Sequence, residues 1–192
     1  MDEKDTRFGD WIQTYTGRKF HFLDPRPEDI DIMDIAHALS MQCRYNGHCN
    51  FFYSVAQHSV LASKESQRRY PGNIDIAIGL LMHDAPEAYV SDVPRPIKRT
   101  IFGNMNMGVF HYAEGVVEKA ILKKFGIKKV DRRIIKKIDN ALLHTEMIQC
   151  MSTPPENWFL PEPPLDIQIK RLSQEVAKRA FLNMFSKLMS ER

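Results

Sequence analysis

From about residue 28 onward the chain repeats one pattern. Apolar side chains return every three or four positions, and no run alternates apolar and polar residues convincingly enough to make a strand. Ile32, Ile35, Ala36 and Leu39 share a helical face between Glu28 and about Tyr45, where Asn46-Gly47 ends the run. A second helix holds YSVAQHSVLASKES, with Val55, Ser59 and Ala62 on one side and His58 beside them. The segment Tyr70-Pro71-Gly72-Asn73 breaks it, and Asn73 is placed to cap a third helix carrying IAIGLLMHD. Two prolines in SDVPRPIKR argue against regular helix until about Ile97. Val109, Ala113, Val116, Val117, Ala120 and Ile121 form the stripe of a fourth long helix, closed by Gly126. Residues 131–151 repeat the pattern through Ile134, Ile135, Ile138, Leu142 and Met147. A proline-rich loop over 152–164 follows, with Trp158, Phe159 and Leu160 expected to pack back on the body. A last helix is expected over 165–192, through Leu165, Ile169, Leu172, Val176, Ala180, Met184 and Leu188. Before residue 28, TYTGRKFHFLDPRP carries a Thr-Gly turn signal and two prolines, so residues 1–27 read as a short hairpin or an arm. The expected class is all-α, with one domain over residues 1–192.

Several function classes drop out on bulk properties. Apolar content of 43% with 27% charged residues is what a packed globular chain carries, which argues against disorder. A net charge of +3 permits an anionic substrate without arguing for a dedicated nucleic-acid binder. The basic run KKFGIKKVDRRIIKK places Arg132, Arg133, Lys136 and Lys137 opposite Ile134, Ile135 and Ile138, the pattern of a solvated amphipathic face, with attraction of polyanions the lesser reading. The apolar run IAIGLLM is far short of the roughly 20 residues of a membrane span. Cys43, Cys49 and Cys150 lack metal-type spacing, and MDEKDTRFGDW resembles no targeting peptide, so a cytoplasmic protein with free thiols is expected.

Chemistry concentrates in LLMHDAPEAYVSD. His83, Asp84, Glu87 and Asp92 follow directly on an apolar helix, and on a continued helix His83 and Glu87 would share a face with Asp84 about 100° round. Alone, this could be a helix end meeting water. Two further residues change the balance. His58 lies mid-helix among small and apolar neighbours, and Asp139 occupies the apolar stripe of IIKKIDNALLHTE rather than its basic face. Buried imidazole and unpaired core aspartate are costly unless charge is paired or metal-bound. Two histidines and two aspartates from three helices make an N2O2 set that suits Mn, Fe, Co, Zn or Mg with positions left open.

His58, then His83-Asp84, then Asp139, in that order on helices, resembles the H…HD…D pattern of the HD-domain superfamily of metal-dependent phosphohydrolases. The stretches HALSMQCRYNGHCNFFYSVAQHSVLASKES, GLLMHDAPEAYVSDVPRPIKR and DNALLHTE are similar to the branch holding bacterial 5′-deoxynucleotidases and phage-type deoxynucleotide triphosphohydrolases. The likeness covers roughly residues 15–150. It implies one divalent metal on His58, His83, Asp84 and Asp139, with Glu87 and Asp92 handling the protons of the attacking water and leaving group. Arg44 would grip phosphate bidentately, as a lysine cannot. Tyr45 would lie against the sugar or serve as a core residue. His48 and Lys98 are lesser candidates for phosphate contact. His37 reads as structural, and His144 and Glu146 could stand behind the ligands. The implied activity is release of phosphate from a dNMP, with release of triphosphate from a dNTP as the alternative. A non-catalytic nucleotide- or nucleic-acid-binding module is the reading of another class. The resemblance also implies a homo-oligomer, a dimer or larger, with a nucleotide as its substrate.

Overall fold

A computed structural model describes residues 6, 7, 9–100 and 107–192, without the side chains of 99, 100, 107 and 109. The fold is all-α with a short N-terminal hairpin. Strands β1 (Ile12–Gln13) and β2 (Lys19–Phe20) pair antiparallel, Ile12 opposite Phe20, across a turn in which Gly17 takes a φ of +81°. Eight helices follow among the described residues: α1 (Ile32–Met41), α2 (Val55–Arg69), α3 (Ile74–Leu81), α4 (Glu87–Val90), α5 (Arg95–Thr100), α6 (Met107–Phe125), α7 (Arg132–Cys150) and α8 (Gln174–Ser190). None is long and apolar enough to cross a membrane.

Side-chain caps set the starts of several helices. Asp31, Ser54, Asn73, Asp131 and Ser173 each accept a backbone N–H from the first turn of α1, α2, α3, α7 and α8. The main core lies between α1, α2, α3 and α8, around Ile35, Leu39, Val55, Ile78, Leu81 and Phe181. A second cluster joins α7 to α2 and α3 through Ala62, Leu80, Ile138 and Leu142. The hairpin is tied to α1 because Asp34 accepts from the Thr16 backbone N–H (2.6 Å) and hydroxyl (2.9 Å). Buried Phe20 stacks on Tyr89 of α4 at 3.8 Å.

Four expectations shift. Helix α8 begins at Gln174, behind its Ser173 cap, so residues 165–173 are not helical; this segment runs extended along α7. Its backbone is held there by Thr145 Oγ1 at Leu165, Gln149 at Ile167 and Ile169, and Gln57 at Lys170. Of the three apolar residues expected to pack back, Leu160 is half-buried, Trp158 is 38% exposed and Phe159 is 84% exposed. Helix α5 starts at Arg95 rather than Ile97, because Pro96 falls in its first turn, where no N–H is required. The third helix stops at Leu81, before His83 and Asp84. Val109 lies outside the residues whose side chains are described.

Gly79 shows how tightly α3 is packed. A Cβ there would collide with Val130 Cγ2, on the connection between α6 and α7. Alanine would gain up to about 1 kcal/mol of helix propensity. Overpacking against a stiff valine costs roughly 1–3 kcal/mol and outweighs it. Gly79→Ala is therefore expected to lower the denaturation midpoint; an unchanged or higher midpoint would show that Val130 yields freely.

Candidate metal centre

Pro86 explains why the HD pair leaves the helix. Proline cannot donate to the carbonyl of Met82, and its ring would collide with that group in a continued helix. The chain instead makes short-range bonds, Ala85 N to Met82 O (3.1 Å) and Glu87 N to Asp84 O (3.0 Å). Freed from helical geometry, the neighbouring side chains point the same way, with His83 Nε2 3.2 Å from Asp84 Oδ1.

His58, fully buried on α2, completes the corner. Its Nε2 lies 3.4 Å from His83 Nε2, 3.5 Å from Asp84 Oδ2 and 3.4 Å from Asp139 Oδ1. Ligand atoms of His58, His83 and Asp84 all fall within 4.8 Å of one another, so this group could hold a metal ion. Both imidazoles are fixed from behind. His83 Nδ1 meets the Leu80 carbonyl at 2.7 Å, which can only accept, so the proton sits on Nδ1 and the lone pair on Nε2. His58 Nδ1 meets Glu146 Oε1 at 2.6 Å. The donor set is two imidazole nitrogens with carboxylate oxygens, which suits a divalent ion of intermediate character.

Asp139 is partly buried, on the same helix as the fully buried Ile138 and Leu142. Its side chain is 21% exposed, and its second oxygen accepts from Arg95 Nη2 at 3.1 Å. Burial would raise its pKa, but hydrogen bonding and charge from His58 hold it well below the usual carboxylate range. Arg95 also donates to Asn140 Oδ1 at 3.2 Å.

Glu146 anchors the site from beneath. Fully buried, it accepts from Tyr45 (2.5 Å), Tyr53 (2.7 Å) and Arg44 Nε (3.3 Å) as well as facing His58. Burial favours its neutral form, yet Arg44 and His58 pull its pKa down to about 2. For His58, burial and Arg44 oppose charge, but Glu146 and Asp139 prevail and lift it to about 9. Arg44 Nη1 also reaches Asp84 Oδ2 at 3.6 Å. Tyr45 and Asn46 hold left-handed backbone at φ 57° and 52°, an unfavourable conformation for a tyrosine that the hydroxyl bond to Glu146 offsets.

The two further acids lie beside the corner. Glu87 starts α4 and is buried, with Lys98 Nζ 3.6 Å from Oε1 and no hydrogen-bond partner for Oε2 among the described residues. Burial, then Asp84 and Asp92, push its pKa well up. Asp92 is raised chiefly by burial, against the charge of Arg44. Gln42 links both segments, donating to Glu87 O (2.9 Å) and accepting from Asp92 N (3.1 Å).

Of the remaining candidates, Lys98 stays against Glu87 while also bonding elsewhere. His48 is exposed, and its backbone N–H closes the turn on Tyr45 O. Lys98 is tied to Glu114 at 3.1 Å. His144 bonds Glu162 O at 2.8 Å and so anchors the proline-rich loop. His37 stacks on Tyr15 at 3.7 Å. Arg132, Arg133, Lys128 and Lys129 are exposed and face Glu118, Asp131 or Asp75. Gln42, Tyr53 and Arg95 were not singled out from the sequence. All three lie within stretches that carry the resemblance, Gln42 and Tyr53 around Arg44 and Arg95 between the two prolines after Asp92.

The chain is 38% identical over 136 residues to the uncharacterized protein YfdR of Escherichia coli strain K12, covering 71% of this chain and 70% of that one. It belongs to the same protein family as YfdR. An uncharacterized protein of Rhodobacter capsulatus is 40% identical over 94 residues, 47% of this chain and 48% of that protein. No family model matches the chain.

Proposed function

We propose that the chain is an HD-type, metal-dependent phosphohydrolase that removes the 5′-phosphate from deoxynucleoside monophosphates. The observation that carries this reading is the convergence of His58 Nε2, His83 Nε2 and Asp84, with both histidines held from behind. Those three residues would hold a divalent ion, with Asp139 as the fourth ligand. When bound, such an ion supplies Lewis acidity, easing formation of hydroxide near neutral pH and offsetting phosphate charge.

The chain's own groups do the remaining work. Arg44 offers a guanidinium to phosphate oxygens, prepositioned by its bond to Glu146. Asp92 orients the attacking water and accepts its proton. Glu87, whose Oε2 is unengaged, delivers a proton to the departing 5′-oxygen. Gln42 keeps the two acids in register through their backbones. Arg95, 40% exposed at the rim beside Asp139, favours a second version of the reaction, because another guanidinium there suits a longer phosphate chain. That version releases triphosphate from a dNTP.

Incubation with dNMPs and dNTPs, each with Mn2+ or Co2+, tests the proposal. Inorganic phosphate from dNMPs is expected, and triphosphate from dNTPs would favour the second version. Stoichiometric metal and nucleotide binding with no bond cleavage would sink both and leave a binding module.

A further inference from the structure

We propose that Trp158 is the stacking platform for the substrate's nucleobase, so that the proline-rich loop selects phosphate esters that carry a flat heterocycle. This rests on the phosphohydrolase reading above and adds a base-binding subsite to it.

Three layers lead outward from the metal corner. The Arg44 guanidinium lies over the Tyr45 ring, 5.4 Å from its centroid. The Tyr45 ring lies 6.4 Å from Trp158, inclined at 51°. Tyr45 itself is fixed through Glu146 to His58. Next in the chain to Trp158, which is 38% exposed, stands Phe159 at 84% exposed. Downstream of the loop Leu165 and Ile169 are buried along α7, whereas Trp158 and Phe159 keep exposed surface. Exposed aromatic side chains offer π-faces on which any base can stack.

The tip is held in shape. Asn157 Oδ1 accepts from Phe159 N at 2.7 Å, and Phe159 takes a φ of 47°, which a bulky residue adopts only under constraint. Ser152 bonds Asn50 at 3.2 Å, and His144 holds Glu162. Pro154, Pro155, Pro161, Pro163 and Pro164 remove much of the remaining backbone freedom. An aromatic face kept in place loses little entropy when a ligand stacks on it. The occupant follows from the chemistry at each end. Arg44 and the His58–His83–Asp84 corner suit phosphate, while Trp158 and Phe159 offer neutral π-faces. A molecule with a phosphate at one end and a flat ring at the other, spaced by a sugar, is a nucleotide.

The test compares kcat/KM for dAMP with that for deoxyribose 5-phosphate. Trp158→Ala is expected to reduce the dAMP to deoxyribose 5-phosphate ratio about 10-fold, within the range of one base–aromatic stack. Trp158→Phe should restore most of it, because a ring remains. An unchanged ratio overturns the proposal, as does a ratio kept while the variant dissociates from a dimer, which would make the patch an interface between copies. A binding measurement separates this failure from failure of the phosphohydrolase reading. In Trp11→Phe protein with Mg2+, the fluorescence of Trp158 should be quenched by the 5′-methylenephosphonate analogue of dAMP and not by deoxyribose 5-phosphate. That result upholds the platform even if neither ester is cleaved; no quenching, or equal quenching, overturns it.

Discussion

Asp84→Ala is expected to lose phosphohydrolase activity to background and to retain no stoichiometric metal, while its helical circular dichroism and melting remain close to those of the parent. Asp84 is the group that faces both histidines, at 3.2 Å from His83 Nε2 and 3.5 Å from His58 Nε2. Its side chain is 18% exposed on a turn between α3 and α4, and the turn is held by its backbone carbonyl rather than by its carboxylate. Truncation therefore leaves the packing intact and removes one candidate ligand and a negative charge beside Arg44. Metal analysis and phosphate release on the same preparation check this. Full activity in the variant would remove the proposed chemistry altogether.

Glu146→Gln is expected to act in two ways at once. The carboxylate neutralises Arg44, faces His58 and accepts from two tyrosine hydroxyls, all in a buried setting. Breaking a buried charge arrangement by removing one partner costs roughly 3–5 kcal/mol, because the opposite charges stay buried. The amide could also present N–H where His58 Nδ1 needs an acceptor, so the ring would lose its fixed orientation. Loss of a partner behind a metal-binding histidine weakens metal affinity about 10–100-fold. Denaturant titration reads the first effect and competition with a metal chelator reads the second. A stable variant with unaltered metal affinity would mean that Glu146 is a bystander.

Helical stripes and caps made much of the fold legible. Apolar spacing is a local property, and Asn73 caps α3 as expected from its position before the run. The departures trace to tertiary bonding and to proline. Leu165 and Ile169 continue a helical spacing with α8, yet Thr145 and Gln149 capture their backbones as an extended strip. Nothing local to residues 165–173 announces partners some 20 positions earlier. At the centre, histidine and aspartate identities were legible but their presentation was not. Pro86 was visible in the chain, and its rule forbids the continued helix on which His83 and Glu87 would have shared a face. Glu146 was legible as a residue able to stand behind the ligands, but not its partners, which come from α2 and from the segment around residues 44–53. The placement of Asp139 in the stripe was legible, whereas its pairing with Arg95, 44 positions earlier, is tertiary.

The long spans closed by Glu146 bear on how the centre comes into being during folding. Its contacts with Arg44 and His58 join residues 102 and 88 positions apart. Contacts of such separation carry a large loop-closure entropy and add nothing until the intervening chain is organised. The α1–α2–α3–α8 core is a different set of contacts, and α7 joins the molecule through its own smaller cluster. The main core joins α1 to α8 and so closes a still longer span of chain. With α7 released, the candidate centre would keep His58, His83 and Asp84 but lose Asp139 and the carboxylate of Glu146 behind His58.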